Sequence, residues 1–128
     1  GDIEMKYTNT DKAPAAIGPY SQAVTAGGFL FISGQTPFSP ETGETIGTDV
    51  AGQAEQACKN IGEILKANDL TFEDVVKTTC FITDMADFGA FNEVYAKYFV
   101  SKPARSCVAV KELPKSILCE IEVIAAAK

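Results

Sequence analysis

Arg105 is the residue in this chain most suited to chemistry. It lies in Pro103-Ala104-Arg105-Ser106-Cys107-Val108-Ala109-Val110. The proline closes the preceding element, and the residues after it read as a strand. Side chains alternate along a strand, so Arg105, Cys107 and Ala109 share one face, and Ala104, Ser106, Val108 and Val110 share the other. A guanidinium at the mouth of a buried strand is costly unless an anion meets it. Its planar fork fits a carboxylate or phosphate through two hydrogen bonds. That anion is either a ligand or one of the chain's 17 Asp and Glu residues, and spacing leaves both open.

Composition closes other chemistries. The sequence holds no histidine, which removes a histidine base, a serine triad and most zinc sites. The four cysteines, Cys58, Cys80, Cys107 and Cys119, form no C-x-x-C pair. Without a histidine to activate it, a cysteine nucleophile lacks its usual base. Each cysteine therefore reads as a small buried apolar residue, with free thiols in a reducing compartment. The net charge of −6 argues against a nucleic-acid partner, which needs clustered Lys and Arg. No apolar run reaches membrane-spanning length, no charged-then-apolar leader is seen, and a cytoplasmic location is expected.

The elements that must position Arg105 follow in chain order. Residues 1–4 carry no periodic pattern and read as a tag remnant or a frayed tail, leaving 5–128 as one domain. Met5 to Thr8 suits a short strand. Gly18-Pro19-Tyr20-Ser21-Gln22 turns into Ala23–Ala26, and Gly27-Gly28 joins that strand to Phe29–Ser33 as a tight hairpin. Ser33-Gly34-Gln35 ends the second strand, where the glycine marks either a bulge or a close approach.

After a polar loop from Phe38 to Gly47, Thr48 or Asp49 caps a helix whose apolar stripe is Val50, Ala54, Ala57, Ile61, Ile64 and Leu65. Thr71 to Asp74 resembles a capping box, and Val75–Ile82 is the next strand. Asp87 caps a second helix with the stripe Phe88, Phe91, Tyr95, Tyr98 and Phe99. Asn92 lies inside that stripe, either tying a neighbouring segment to the helix or touching a ligand. Leu113-Pro114-Lys115-Ser116 turns into a last strand, Ile117–Ala126. There Cys119, Ile121, Val123 and Ala125 face one way, and Leu118, Glu120, Glu122 and Ile124 the other. Glu122 and Glu120 are most simply solvent-facing, although the strand carrying Glu120 is expected to pair with the strand carrying Arg105. The order predicts an α+β domain with two helix crossovers between parallel neighbours. Two helices cover only one face of about six strands, so a homo-oligomer that packs the other faces together is expected.

Six segments together point to a known family: Ala16-Ile17-Gly18-Pro19-Tyr20-Ser21-Gln22-Ala23, Phe31-Ile32-Ser33-Gly34-Gln35, Val75-Val76-Lys77-Thr78-Thr79, Asn92-Glu93-Val94-Tyr95, Pro103-Ala104-Arg105-Ser106 and Glu120-Ile121-Glu122. In this order and spacing the chain, from about Met5 onward, closely resembles the reactive intermediate deaminase family in its RidA branch, also called YjgF. The resemblance implies the fold of trimeric chorismate mutase, a six-stranded mixed sheet with two helices on one face. It also implies a homotrimer whose ligand clefts lie between subunits.

The implied activity is hydrolysis of reactive 2-enamine and 2-imine acids, such as 2-aminoacrylate and 2-aminocrotonate, that pyridoxal-phosphate enzymes release. The products are 2-keto acids and ammonia, and the protein needs no cofactor and no metal. Carried onto these positions, Arg105 would clamp the substrate carboxylate and Glu120 would position water and shuttle protons. Tyr20 would wall the cleft and donate its hydroxyl. Ser33 and the Gly34 amide would offer further donors, Cys107 would line the floor, and Asn92 would support the cleft from its helix. Two alternatives stand beside the enzyme: a keto-acid-binding protein without turnover, and a chaperone-like interaction protein. Nucleic acid and membrane are not expected partners.

Overall fold

The structure, a computed structural model, describes residues 4–128. The segment read as a remnant or tail lies outside the described residues except for Glu4. Six strands form one sheet: β1 (Lys6–Thr8), β2 (Ala23–Ala26), β3 (Phe29–Gln35), β4 (Val75–Ile82), β5 (Ala104–Ala109) and β6 (Cys119–Ala126). Gly27 and Gly28 take φ of 59° and 85°, the left-handed geometry that a two-residue hairpin demands. They set β2 against β3 with Ala26 opposite Phe29.

Two helices back the sheet. In α1 (Val50–Ala67) the Asp49 side chain caps the start by accepting from the Gly52 amide, and the expected stripe is buried throughout. Gln53 and Asn60 are buried with it. Thr71 and Asp74 form the expected capping box, which opens a single 3-10 turn leading into β4. The start of α2 (Phe88–Tyr98) differs from expectation. Asp87 stands at its N-cap without a side-chain hydrogen bond. The capping carboxylate is Asp84, which accepts from the Ala86 amide of a 3-10 turn that runs straight into the helix.

The strand order is β1-β2-β3-β6-β4-β5, and this corrects two expectations. The crossover through α2 does join parallel neighbours, β4 and β5. The crossover through α1 does not, because β6 enters antiparallel between β3 and β4. The strand carrying Glu120 therefore pairs with β3 and β4 and never touches the strand carrying Arg105. Together the two pairings cover the whole of β6, and a central position suits its four buried residues in strict alternation: Cys119, Ile121, Val123 and Ala125 point into the core with Leu30, Ile32, Cys80 and Ile82.

The opposite face has no helix over it. Val24, Phe31 and Ile124 stand side by side across β2, β3 and β6, and Val108, Phe81 and Glu120 across β5, β4 and β6. Phe29, Phe31 and Val108 are 43%, 44% and 45% exposed. Among the described residues no helix is long and apolar enough to cross a membrane.

Candidate functional site: two half-sites on one sheet

Arg105 points to the helix side. Its guanidinium lies over the Tyr95 ring at 4.6 Å and near the Phe88 ring at 5.5 Å. One nitrogen, Nη1, donates to Asn92 Oδ1 at 2.6 Å. The platform is itself held: Tyr95 stacks on Phe99 at 4.3 Å, and its hydroxyl shares a buried 2.8 Å hydrogen bond with Thr78, whose position faces Arg105 in the β4–β5 register. α2 thus fixes the plane of the guanidinium through an aromatic ring and its rotation through an amide. The one ion pair among the described residues joins Lys128 to Asp74, so the side-chain hydrogen-bond partner of Arg105 is the neutral amide of Asn92. The adjoining cleft, about 670 Å³, is walled by Asn92, Tyr95, Phe99, Lys102 and Arg105, with no carboxylate in its lining.

Glu120 points to the open side. Its carboxylate lies directly over Gly34, where a built Cβ would come within 2.2 Å of Oε2. The position admits no side chain while Glu120 stays in place, so the glycine serves the close approach. It also sits in an irregularity: the β3–β6 register shifts between Ile32 and Gln35, as a bulge does. Burial pushes the Glu120 carboxyl above the usual carboxylate range, and the nearby charge of Glu122 adds to the shift. Among the described residues nothing hydrogen-bonds that carboxylate. A second cleft of about 800 Å³ runs along it, lined among others by Tyr20, Ser33, Gly34, Lys115 and Glu122. Tyr20 is exposed and forms part of the wall. Ser33 differs from the donor role drawn from the resemblance. Its hydroxyl donates to the Ser21 carbonyl at 2.6 Å, which leaves it lone pairs to offer.

The structure therefore brings six of the seven candidates together as two groups. Tyr20, Ser33, Gly34 and Glu120 border one cleft. Arg105 and Asn92 border the other. Cys107 follows Arg105 on the helix face, half-buried against the core, and lines neither. Burial raises its thiol, only partly offset by Arg105. Cys80 and Cys119 are pushed up to about 12 by burial, so the thiols of this chain are poor nucleophiles at neutral pH. Arg105 and Glu120 stand on opposite faces with β4 between them, and one chain cannot aim both at the same small molecule.

Sequence reasoning passed over the residues that shape the second cleft. Asn60 donates from Nδ2 to the carbonyls of Thr36 and Phe38, both at 3.0 Å. Gln53 donates to the Gly47 carbonyl and accepts from the Leu118 amide. Both hang the loop from Thr36 to Gly47 on α1. Their signal was present as polar residues at core spacing in the α1 stripe. Gln22, also buried, ties the Thr10–Pro14 segment through three carbonyls. Among the described residues no group of His, Cys, Asp and Glu is placed to hold a metal.

A bulged strand with a carboxylate over its glycine and a platform-mounted arginine on a parallel edge strand share one six-stranded sheet backed by two helices. The family model described as Endoribonuclease L-PSP matches residues 10–127, and the chain belongs to that family, the one the sequence resemblance names reactive intermediate deaminase. The mouse protein named 2-iminobutanoate/2-iminopropanoate deaminase is 50% identical over 124 residues, covering 96% of this chain and 92% of that one. Arabidopsis thaliana chloroplastic Reactive Intermediate Deaminase A is 48% identical over 124 residues, covering 96% of this chain and 66% of its own. The structure of E. coli TdcF with bound serine superposes with a TM-score of 0.90 at 45% identity, covering 96% and 99% of the two chains. Other relatives carry names that state no reaction, RutC family protein and putative regulator among them.

Proposed function

We propose that this protein is a 2-iminobutanoate/2-iminopropanoate deaminase acting in the cytoplasm, with its sites between subunits of a homotrimer. The observation that carries the reading is Arg105: a guanidinium mounted on Tyr95 and turned by Asn92, with no carboxylate of its own. Such a group suits a small carboxylic acid. The mouse relative bears the name of this reaction, and TdcF binds serine, itself a small carboxylate.

In this reading the Arg105 edge of one subunit closes on the Glu120 cleft of the next. The arginine holds the substrate carboxylate through two hydrogen bonds and presents the imine carbon. Glu120, ionised, takes a proton from water as the oxygen adds to the carbon of the protonated imine, giving a neutral carbinolamine. The same carboxyl returns the proton to nitrogen. Ammonia leaves as the C–N bond breaks, and the hydroxyl proton passes to the carboxylate as the keto group forms. An imine is already electrophilic, so positioning plus one acid/base group suffices without a cofactor or metal. Tyr20 and the Gly34 amide supply donors to the polar end of the ligand.

The family description names an endoribonuclease, but a cleft lined by Glu41, Glu120 and Glu122 on a chain of net charge −6 is poorly matched to a phosphate backbone. A coupled assay tests the deaminase: a pyridoxal-phosphate dehydratase makes 2-aminoacrylate from serine, semicarbazide traps it, and pyruvate release is followed. Wild type is expected to restore pyruvate and Arg105→Ala to lose that effect by about a hundredfold or more, the scale of a lost orienting contact. Equal rates with and without the wild-type protein would leave a keto-acid-binding protein as the reading.

A further inference from the structure

The charged lining of the Glu120 cleft is three carboxylates, Glu41, Glu120 and Glu122, and one ammonium, Lys115. An acid substrate entering such a cleft meets net negative charge, and its affinity suffers unless a cation is placed to offset that field. Lys115 is not spent on the carboxylates, since the ion pair among the described residues joins Lys128 to Asp74. Its ammonium instead sits 4.8 Å from the centroid of the Phe38 ring.

Both members of that contact are held. The Phe38 carbonyl accepts from Asn60 on α1, and Phe38 bridges to Thr45 across its loop. Lys115 has φ of 54° and Ser116 has φ of 55°. Two successive non-glycine residues in the left-handed region are a conformation that L-residues avoid, and strain of this kind gathers where a side chain must be aimed. The turn places the Lys115 side chain on the wall of the cleft that Glu120 also lines. The Pro114 ring at the start of the turn lines the same wall.

We propose that Lys115 is a second anion-binding residue of the site, holding the acid substrate against the carboxylate-lined wall by donating to its carboxylate. A carboxylate has lone pairs left after a bidentate arginine has taken two, so the two cations do not compete. The inference rests on the deaminase reading above and adds a substrate contact to it. Phe38 keeps the ammonium in the cleft and releases it at small cost, because a half-exposed cation–π contact is weak.

Steady-state kinetics with 2-iminopropanoate made in the assay test it, comparing wild type with Lys115→Met, Lys115→Gln and Lys115→Arg at low and high salt. Lys115→Met and Lys115→Gln are expected to raise KM about tenfold, the lower range for a hydrogen bond to a charged group, with kcat within about twofold of wild type. Lys115→Arg restores most of the affinity. Wild-type KM rises with salt as screening weakens the contact, and the two neutral variants lose most of that dependence. A KM unchanged in both neutral variants, or a loss confined to kcat, overturns the proposal. Thermal melting of each variant shows that the comparison is between folded proteins. If wild type turns nothing over, the deaminase reading fails by itself, and titration with 2-oxobutanoate still decides Lys115. Weaker binding to the neutral variants supports it; equal binding, or none to wild type, overturns it.

Discussion

Gly34 and Glu120 form the tightest pairing of residue and place in the site. Because a Cβ at position 34 would meet the far end of a flexible side chain, Gly34→Ala is expected to push the carboxylate aside without straining the strand. Turnover should fall by about a hundredfold, as when an acid/base group is lost, while stability changes by under about 1 kcal/mol and keto-acid binding remains. A Gly34→Ala variant with wild-type kcat would separate Glu120 from the chemistry. The second residue-scale prediction concerns Glu122, whose charge, after burial, lifts the Glu120 carboxyl. A base acts in its ionised form, so Glu122→Gln should move the acid limb of the kcat/KM profile to lower pH. Stability follows with a definite sign. Glu120 holds its proton to higher pH in the folded state than in the unfolded chain, so stability present at low pH is lost as pH rises through the raised value. Glu122→Gln should shrink that loss, as urea midpoints across the acid range will show. An unmoved acid limb would mean that the limb belongs to another group.

At the scale of elements, α1 carries the cleft loop as well as the core. Asn60 is 1% exposed and satisfies the Thr36 and Phe38 carbonyls while accepting from Gln56. Asn60→Ala strands two carbonyls and should cost about 2–3 kcal/mol, read as a lower urea midpoint at fixed protein concentration, and should raise KM as the loop loosens. A variant with unchanged midpoint and KM would show that the loop is held from elsewhere. The periodicity of α1, a cap at Thr48 or Asp49, the Gly27-Gly28 turn and the faces of β5 and β6 were all legible in the sequence, because each follows from spacing of 3.6 or 2 residues and from local backbone chemistry; the structure chooses Asp49. Strand order was not. That β6 enters between β3 and β4 is a long-range choice, set by burial on both flanks, and nothing local to Glu120 announces it. The same limit explains Asn60, whose carbonyl partners lie 24 and 22 residues away in the chain, Gln53, whose side-chain oxygen accepts from the distant Leu118 amide, and the Lys115 contact with Phe38. Asp87 misled for a different reason: Asp84 caps a turn earlier, and the helix inherits its start from that turn.

The whole molecule carries an arginine and a glutamate that no single chain can bring together, and an apolar sheet face with no cover. These two facts point the same way. Burying side chains such as Phe29 and Phe31 contributes about 1.5–3 kcal/mol each, and in the proposed homotrimer a second copy would supply both that cover and the other half of each cleft. The open face of β5 offers Ala104, Ser106 and Val108, small enough for close approach by a neighbouring sheet. If the sites do lie between subunits, Arg105→Ala and Glu120→Gln damage different halves of different clefts. Each variant alone should be inactive. Unfolded together in equal amounts and refolded, they should recover activity, because a subunit with an intact arginine sometimes adjoins one with an intact glutamate. In randomly mixed cyclic oligomers about one site in four has both groups, so the mixture should reach about a quarter of the wild-type rate, whereas mixing folded oligomers without exchange should give none. A refolded mixture as inactive as its parents, with heteromers shown by native mass spectrometry, would place both residues in the service of one chain and remove the shared site from the mechanism.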